Sequence, residues 1–441
     1  MRQRDTLVGL TLLAALFGLT AARSATPSVG ARFAPSGASP VLGAIQVPDA
    51  GLGAVDVATR HIFITGQASY KKGATGTAST LDIQTGTLVR TVNMGCAPYA
   101  IAASQRTERV FVVNSYLKSC NRAIGTVSML DAHNGHLLST VNVGDIPIAG
   151  AVDERIGRVF ILNAVTPLPA HPGSTVLGGV SVLDARSGRV LTTISLGTHN
   201  YPLVFTPNTL AVDTRRGRGF ALIANDVVTA RAMGSTPAQF TVTTTVILFD
   251  TQRDRVLRTL AVNADHSTGV VVDERTGHAF VTGSNCGVPV DTAAQRPCIS
   301  MIDTGTGRVL RTVTGLGGPL VVDTRHGRVF VADHGGVAAL DTRTGRVVLR
   351  RGSVVPRNHE AILLGIDGRN GRLLETYIVP DRNGHPVGPG NVYVLDGRDG
   401  AILHTVSIAS GISTAATVDE HTGRAFITTG PKTMTVLDMT R

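Results

Sequence analysis

Four histidines lie in short polar segments between apolar runs of strand length, where side chains from distant parts of a chain can converge. Neutral imidazoles supported by a neighbouring carboxylate suit copper or zinc, whereas imidazolium with arginine suits an anionic small molecule. The candidate ligand-binding residues of these segments are His199, Asn200, Tyr201, Asp265, His266, His334, Arg357 and His359. A metal hypothesis takes His199, His266 and His359 as ligands. The alternative is that they are ordinary, hydrogen-bonded loop histidines.

Two hairpin motifs alternate along the chain and must position these segments. The first has the form V-D-x-R-x-G-R-x-F and recurs as VDERIGRVF (152–160), VDTRRGRGF (212–220), VDERTGHAF (272–280), VDTRHGRVF (322–330) and VDEHTGRAF (418–426), with weaker copies at 55–63, 102–111 and 365–374. The second is exemplified by LDTRTGRVV (340–348). Both predict strand, tight turn and strand, with Asp accepting hydrogen bonds from turn amides and Gly in the left-handed region. Because Asp, Arg and Gly recur in every unit, we interpret them as structural.

Two hairpins every 45 to 60 residues form a four-stranded unit, and eight first hairpins predict an all-β, eight-bladed β-propeller of antiparallel blades. The last unit lacks a fourth strand before the chain ends. We expect residues 41–47 to supply it by pairing with residues near 433–438, which would close the ring without a free sheet edge. A seven-bladed ring is the alternative, if the degenerate seventh unit is an insertion.

In such a ring the short hairpin turns gather on one face, here named the turn face. The links between blades and the loops within blades gather on the other, here named the connection face. Nearly all variation in length falls on the connection face, whose long loops are 66–78, 114–125, 163–178, 225–244, 283–298 and 379–390. Variable loops on a rigid scaffold usually carry function, so we predict that the connection face binds the ligand or partner.

The N-terminus has the pattern of an export signal. Arg2 and Arg4 precede an apolar run from Leu7 to Ala22 and a small-residue stretch, which predicts a signal peptide over 1–25, with an uncleaved anchor as the alternative. Residues 26–40 read as a flexible linker and 41–441 as the propeller, with no membrane span in the mature chain. The sequence thus predicts a periplasmic, extracellular or cell-surface protein.

Four cysteines in an exported chain favour disulfides. The economical pairing is Cys96 with Cys120 and Cys286 with Cys298, since each pair would tie down loops on one face. The sequence has no C-x-x-C spacing, so the cysteines do not indicate a metal site.

The formal charge of +10 comes almost entirely from arginine, much of it in the hairpin turns beside Asp and Glu. Nucleic acid or another acidic polymer could adhere to such a face electrostatically. The alternative is a solvated surface, which the lack of aromatic residues between the Arg turns favours.

Segments 180–190, 127–138 and 299–310 resemble the third and fourth strands of YVTN-repeat (YncE-like) β-propellers, within the quinoprotein-like propeller group. The resemblance spans roughly residues 41–441 and implies a binding or scaffold protein, with DNA binding for some members. ALDTRTGRVV (339–348) is also similar to the blade motif of pyrroloquinoline-quinone dehydrogenases, which need a terminal tryptophan and usually adjacent cysteines. The chain has neither, so the sequence argues against that quinone and requires no cofactor.

The sequence therefore predicts an exported monomer that binds a protein, polysaccharide or small molecule through its connection face, with no catalysis assigned. One alternative is a copper, zinc or calcium enzyme with its site at the mouth of the central channel. The other is a nucleic-acid or acidic-polymer binder that uses the Arg-rich turns. The sequence lacks the motifs G-x-S-x-G, G-x-x-x-x-G-K and H-E-x-x-H, so it gives no sign of the enzyme classes that carry them.

Overall fold

The computed structural model describes residues 39–48, 50–66, 75–95, 97–115, 125–144, 146–163, 176–199, 209–230, 239–262, 264–265, 269–283, 285–286, 297–333, 336–352, 360–378, 390–408, 415–430 and 432–441. These residues form strands and turns arranged as eight four-stranded antiparallel sheets and one two-stranded sheet. The predicted signal peptide and nearly all of the predicted linker lie outside the described residues. Within the described ranges, no helix has the length and apolarity needed to cross a membrane.

Each four-stranded sheet is one blade. Strand β1 (Val41–Gln46) comes first in sequence and belongs to the last blade. Blade I contains β2 (Ala50–Asp56), β3 (His61–Gly66), β4 (Thr77–Asp82) and β5 (Leu88–Asn93). Blade II contains β6 (Pro98–Ser104), β7 (Arg109–Asn114), β8 (Gly125–Asp131) and β9 (Leu137–Gly144). Blade III contains β10 (Pro147–Asp153), β11 (Arg158–Asn163), β12 (Val176–Asp184) and β13 (Val190–His199).

The fourth blade has the longest strands, and an extra strand pair accompanies the fourth and fifth blades. Blade IV contains β14 (Leu210–Asp213), β15 (Arg218–Ala230), β16 (Gln239–Asp250) and β17 (Arg255–Val262). A two-stranded sheet is made by β18 (Ala264–Asp265) and β21 (Asn285–Cys286). Blade V contains β19 (Val270–Asp273), β20 (His278–Gly283), β22 (Cys298–Asp303) and β23 (Val309–Thr314).

The remaining blades complete the ring. Blade VI contains β24 (Leu320–Asp323), β25 (Arg328–Asp333), β26 (Gly336–Asp341) and β27 (Val347–Arg351). Blade VII contains β28 (Glu360–Asp367), β29 (Arg372–Ile378), β30 (Gly390–Asp396) and β31 (Ile402–Ile408). Blade VIII contains β32 (Ala416–Asp419), β33 (Arg424–Gly430), β34 (Thr433–Asp438) and β1. The predicted eight blades are confirmed, and the seven-bladed alternative is wrong because the degenerate seventh unit forms a complete blade.

The repeated turn residues are structural, as predicted. In blade V the Oδ1 atom of Asp273 accepts a hydrogen bond from the amide of Arg275 at 2.9 Å. The amide of Gly277 donates to the carbonyl of Asp273 at 2.8 Å, and Gly277 has a φ of 75°. A glycine is favoured there because side chains rarely adopt positive φ.

The hydrophobic core lies in the seams between neighbouring blades. Phe160 of blade III is fully buried and packs on Ala221, Ile247 and Phe249 of blade IV. The ring centroids of Phe160 and Phe249 are 5.5 Å apart in a tilted arrangement. Each blade therefore buries its apolar faces only by packing against its neighbours.

The ring closes as predicted through the N-terminal strand. Antiparallel Cα pairing joins β1 to β34, from Val41 opposite Leu437 to Gln46 opposite Thr433. The amide of Val47 also donates to the carbonyl of Lys432 at 3.0 Å. Strand β1 thus occupies the outer edge of blade VIII and completes its sheet.

Buried carboxylates connect some blades on the turn face. Asp153 of blade III is fully buried, and its Oδ2 atom accepts a hydrogen bond from the hydroxyl of Thr251 in blade IV at 2.9 Å. The corresponding groups two seams further around the ring are Asp273 of blade V and Thr342 of blade VI. Asp273 Oδ2 and Thr342 Oγ1 are both buried without a hydrogen-bond partner.

We expect Thr251→Val to lower the free energy of unfolding by about 1 to 3 kcal/mol, because it leaves a buried carboxylate oxygen of Asp153 without a donor. Thr342→Val is the matched control, since its hydroxyl makes no hydrogen bond that the substitution could remove. Urea denaturation of both variants measures the difference. Equal losses in the two variants would contradict a specific contribution from the Thr251 hydroxyl.

Candidate functional site

The connection face of blade IV carries a projecting hairpin formed by residues 225–230 and 239–243. Strands β15 and β16 have 13 and 12 residues, whereas the corresponding strands of blade V have 6 each. Their Cα pairing continues from Asn225 opposite Thr243 to Ala230 opposite Gln239. Strand β17 pairs with β16 only as far as Thr244, and β14 pairs with β15 only as far as Ala221. Within the described residues, neither edge of the projecting hairpin is therefore paired with another strand.

The projecting hairpin corrects the prediction of a loop over 225–244, because most of that segment is β-strand. The segment combines β-branched residues, such as Val227, Val228 and Thr241, with polar ones. Beyond the sheet a hairpin has no core to face, so its residues need not follow the apolar pattern of a packed strand. Length and polarity alone therefore favoured a loop.

Blades III and V extend the same region. In blade III, β12 and β13 continue to a Cα pair between Val176 and His199. Between blades IV and V, β18 lies against β16 and pairs with β21, with Asp265 opposite Asn285. We name these extensions, together with the projecting hairpin, the III–V platform. The platform brings the backbone positions of His199, Asp265 and Cys286 to one region of the connection face.

The other predicted ligand-binding residues lie outside the described residues: Asn200, Tyr201, His266, His334, Arg357 and His359. The metal hypothesis, which needs His266 and His359, stays a prediction. In the part of the chain that the structure describes, no group of three or more His, Cys, Asp or Glu side chains could hold a metal ion.

Of the four cysteines predicted to form disulfides, Cys298 is the one whose side chain lies in the described part of the chain. Cys96 and Cys120 lie outside the described residues. Cys298 is fully buried at the start of β22, and its sulfur is disulfide-bonded. The pairing of Cys298 with Cys286 stays a prediction, which peptide mapping of the non-reduced protein would decide.

Sequence reasoning missed one unusual residue, the fully buried Glu375 in β29 of blade VII. Neither of its carboxyl oxygens has a hydrogen-bond partner. Burial away from water raises the pKa of this carboxyl to about 7. The other seven blades have a buried aliphatic residue at the same hairpin position, namely Ile64, Val112, Ile161, Ala221, Val281, Val331 and Ile427. Glu375 therefore breaks the repeat at a position that the fold itself fills with hydrocarbon.

The carboxyl of Glu375 lies in the seam between blades VI and VII. Its cross-strand Cα partners are Tyr393 in β30 and Leu363 in β28, and β28 has a bulge between Leu363 and Gly365. Tyr393 belongs to the apolar cluster that includes Phe330 of blade VI. A carboxyl in such a seam changes its charge near neutral pH, which makes Glu375 a functional candidate by its ionisation as well as by its position.

Arginines of the turn face hold neighbouring blades together. Arg155 of blade III donates to the carbonyl of Thr214 in blade IV at 2.7 Å. Arg275 of blade V donates to the carbonyl of Thr324 in blade VI at 2.8 Å. Arg424 of blade VIII donates to the carbonyl of Gln84 in blade I at 2.9 Å. Many turn-face guanidinium groups are thus committed to backbone carbonyls of the next blade.

The aspartates of the second hairpins are stabilised as anions. The hydroxyl of Ser187 donates to Asp184 Oδ1 at 2.7 Å, and this hydrogen bond holds the pKa of Asp184 below its usual value despite partial burial. At Asp303 burial acts to raise the pKa, but hydrogen bonds from Thr306 outweigh it and the pKa is lowered. These carboxylates serve the turns.

A cavity of about 220 Å³ opens on the turn face where blade VIII meets blade I. Its lining includes Arg60, Gln84, Asp419 and His421. Asp419 accepts hydrogen bonds from the amide of His421 at 3.0 Å and from the side chain of Thr422. The carboxylate in the cavity is therefore already satisfied by its own turn.

No protein-family model matches the chain, and no curated protein matches it either. Solved β-propeller structures do match. Hydrazine synthase from Kuenenia stuttgartiensis has a TM-score of 0.53 at 12% identity, over 89% of this chain and 96% of that one. BamB from Moraxella catarrhalis has a TM-score of 0.52 at 13% identity, over 90% and 99%. The C-terminal WD40 domain of Sif2 has a TM-score of 0.59 at 8% identity, over 89% and 97%. At these identities the matches show the fold alone, and the YVTN-repeat resemblance stays unconfirmed.

Proposed function

We propose that this chain is an exported β-propeller that binds a partner protein through its connection face, with the projecting hairpin of blade IV as the main contact. The observation that carries the proposal is that, in the described part of the chain, neither strand edge of this hairpin is paired with another strand. Backbone N–H and C=O groups on such edges form hydrogen bonds readily with an added strand. Export is inferred from the N-terminal sequence pattern alone.

The rest of the III–V platform supports this proposal. The extension of blade III and the β18–β21 pair lie beside the projecting hairpin, so a partner strand would meet additional backbone there. Most of the turn-face aspartates, by contrast, recur from blade to blade and serve the turns. A partner that recognises one blade needs a feature that distinguishes that blade, and among the described residues the projecting hairpin distinguishes blade IV.

The test compares two deletions that share the same new turn. In the first, residues 226–242 are replaced by Asn-Gly, which joins the directly opposite residues Asn225 and Thr243 through a two-residue turn. In the control, Asn-Gly replaces only residues 231–238 and joins Ala230 to Gln239, so the paired strands remain. Thermal unfolding of both variants checks that the ring is intact.

Affinity purification from a cell-envelope extract, followed by cross-linking mass spectrometry, is the readout. We expect a partner cross-linked to the connection face by the wild-type and control proteins and lost with the 226–242 replacement. Recovery of the same cross-linked proteins with all three would refute the hairpin as the contact. The alternative of a copper, zinc or calcium enzyme has a separate test, which is elemental analysis of the purified protein.

A further inference from the structure

The turn face is electrically polarised across the ring. In blades III to VI, the hairpin turns and outer strands carry 19 arginines against 11 acidic residues. The corresponding segments of the other four blades carry 9 arginines against 10 acidic residues. We name the turn-face side of blades III to VI the basic half.

Each blade of the basic half has an arginine at the start of the outer strand, either directly before it or, in blade IV, as its first residue. These residues are Arg189, Arg255, Arg308 and Arg346, and all four are exposed. Their guanidinium groups make no ion pair or hydrogen bond with the described part of the chain, unlike the arginines that join the seams. In blades I, II and VII the same position holds Thr87, His136 and Ala401.

Exposed aliphatic pairs follow these arginines. Val309 and Leu310 are 44% and 51% exposed, and Val347 and Val348 are 43% and 51% exposed. Such pairs also begin the outer strands of blades I and II, where no arginine precedes them, so within the described residues only the basic half combines the two. The basic half is therefore amphipathic, with free guanidinium groups beside aliphatic side chains.

We propose that the basic half of the turn face docks onto an anionic lipid surface. Guanidinium groups bind lipid phosphates through paired hydrogen bonds, and aliphatic side chains enter the boundary between headgroups and acyl chains. The large exposed hydrophobic residues in the described part of the chain are all Val or Leu, so there is no aromatic platform for stacking bases. This docking would leave the III–V platform on the opposite face free for a protein partner.

The test uses residues 26–441, which contain every described strand and exclude the apolar N-terminal run. Co-sedimentation is measured with phosphatidylcholine vesicles and with vesicles that also contain phosphatidylglycerol. We expect binding only to the anionic vesicles, with an affinity that falls as salt rises. Arg308→Gln with Arg346→Gln should weaken it roughly thirtyfold, the equivalent of about 2 kcal/mol.

The matched control is Arg60→Gln with Arg398→Gln, which removes the same charge from exposed arginines of the other half. An equal loss of binding in the two double variants would overturn the proposal in favour of non-specific attraction. A third variant, Val309→Ser with Leu310→Ser, should weaken binding to anionic vesicles but leave binding to soluble dextran sulfate unchanged. If vesicle binding survives that variant intact, the site is one for soluble polyanions and the lipid proposal fails.

Discussion

Glu375→Gln should remove a fall in stability that the wild-type protein shows as pH rises from about 4.5 to about 7. The folded-state pKa of Glu375 is raised to about 7 from an ordinary value of 4.5, so the folded protein retains a proton that the unfolded chain releases. Its contribution to stability is therefore complete below pH 4.5 and is lost as pH rises through 7. The loss expected from this shift is about 3 kcal/mol.

The measurement is urea denaturation of the wild-type and Glu375→Gln proteins across this pH range. The difference between the two curves isolates Glu375, because both proteins share all other titratable groups. Hydrogen-bonded turn carboxylates such as Asp184 have lowered pKa values, so their contribution to stability changes with pH in the opposite direction. Glu375→Ile, which copies Ile427 of blade VIII, should raise stability most at pH 8. Parallel curves for the wild-type and Gln variants would show that folding does not raise the pKa of Glu375.

Deletion of residues 39–47 should lower the free energy of unfolding by at least about 3 to 6 kcal/mol, because it removes the stabilisation that burial of Ile45 and Val47 provides. The deletion also exposes the unpaired edge of β34 along its full pairing with β1. Thermal unfolding and size-exclusion chromatography should show a lower midpoint and association through the open edge.

The control for this deletion removes residues 26–38, which precede the described residues. We expect the midpoint of the control to match that of the chain beginning at residue 26. A chain without residues 39–47 that unfolds at the same temperature as the control would refute ring closure through β1.

The fold was predictable because a periodic sequence reports the same structure many times. The five strong copies of the first hairpin each contain a turn Asp, a left-handed Gly and a buried Phe. The weak copy at 102–111, which keeps only the Phe, could therefore be recognised from the strong ones. The missing fourth strand of the last blade then required a substitute, and residues 41–47 had the pattern of an outer strand.

The candidate site was less predictable because functional features depart from the repeat. Glu375 could have been found by aligning the eight hairpins, since it is the one acidic residue among aliphatic ones three positions after the start of the second strand. Its burial and lack of partners could not have been read from the sequence, because an acidic residue ordinarily predicts exposure. The sequence of the projecting hairpin likewise does not follow the repeat, so its conformation could not be inferred from the other blades.

Ring closure through β1 also determines the order in which the molecule can be completed. Gln46 and Thr433 hydrogen-bond to each other although they are 387 positions apart. During synthesis β1 emerges first, yet its partner β34 emerges last, so seven blades can pack before the eighth has its outer strand. Until then the growing chain has two open ends, one at β1 and one at the most recent blade. A chain that stops before β34 cannot close at all, which couples the solubility of the protein to translation of its final strand.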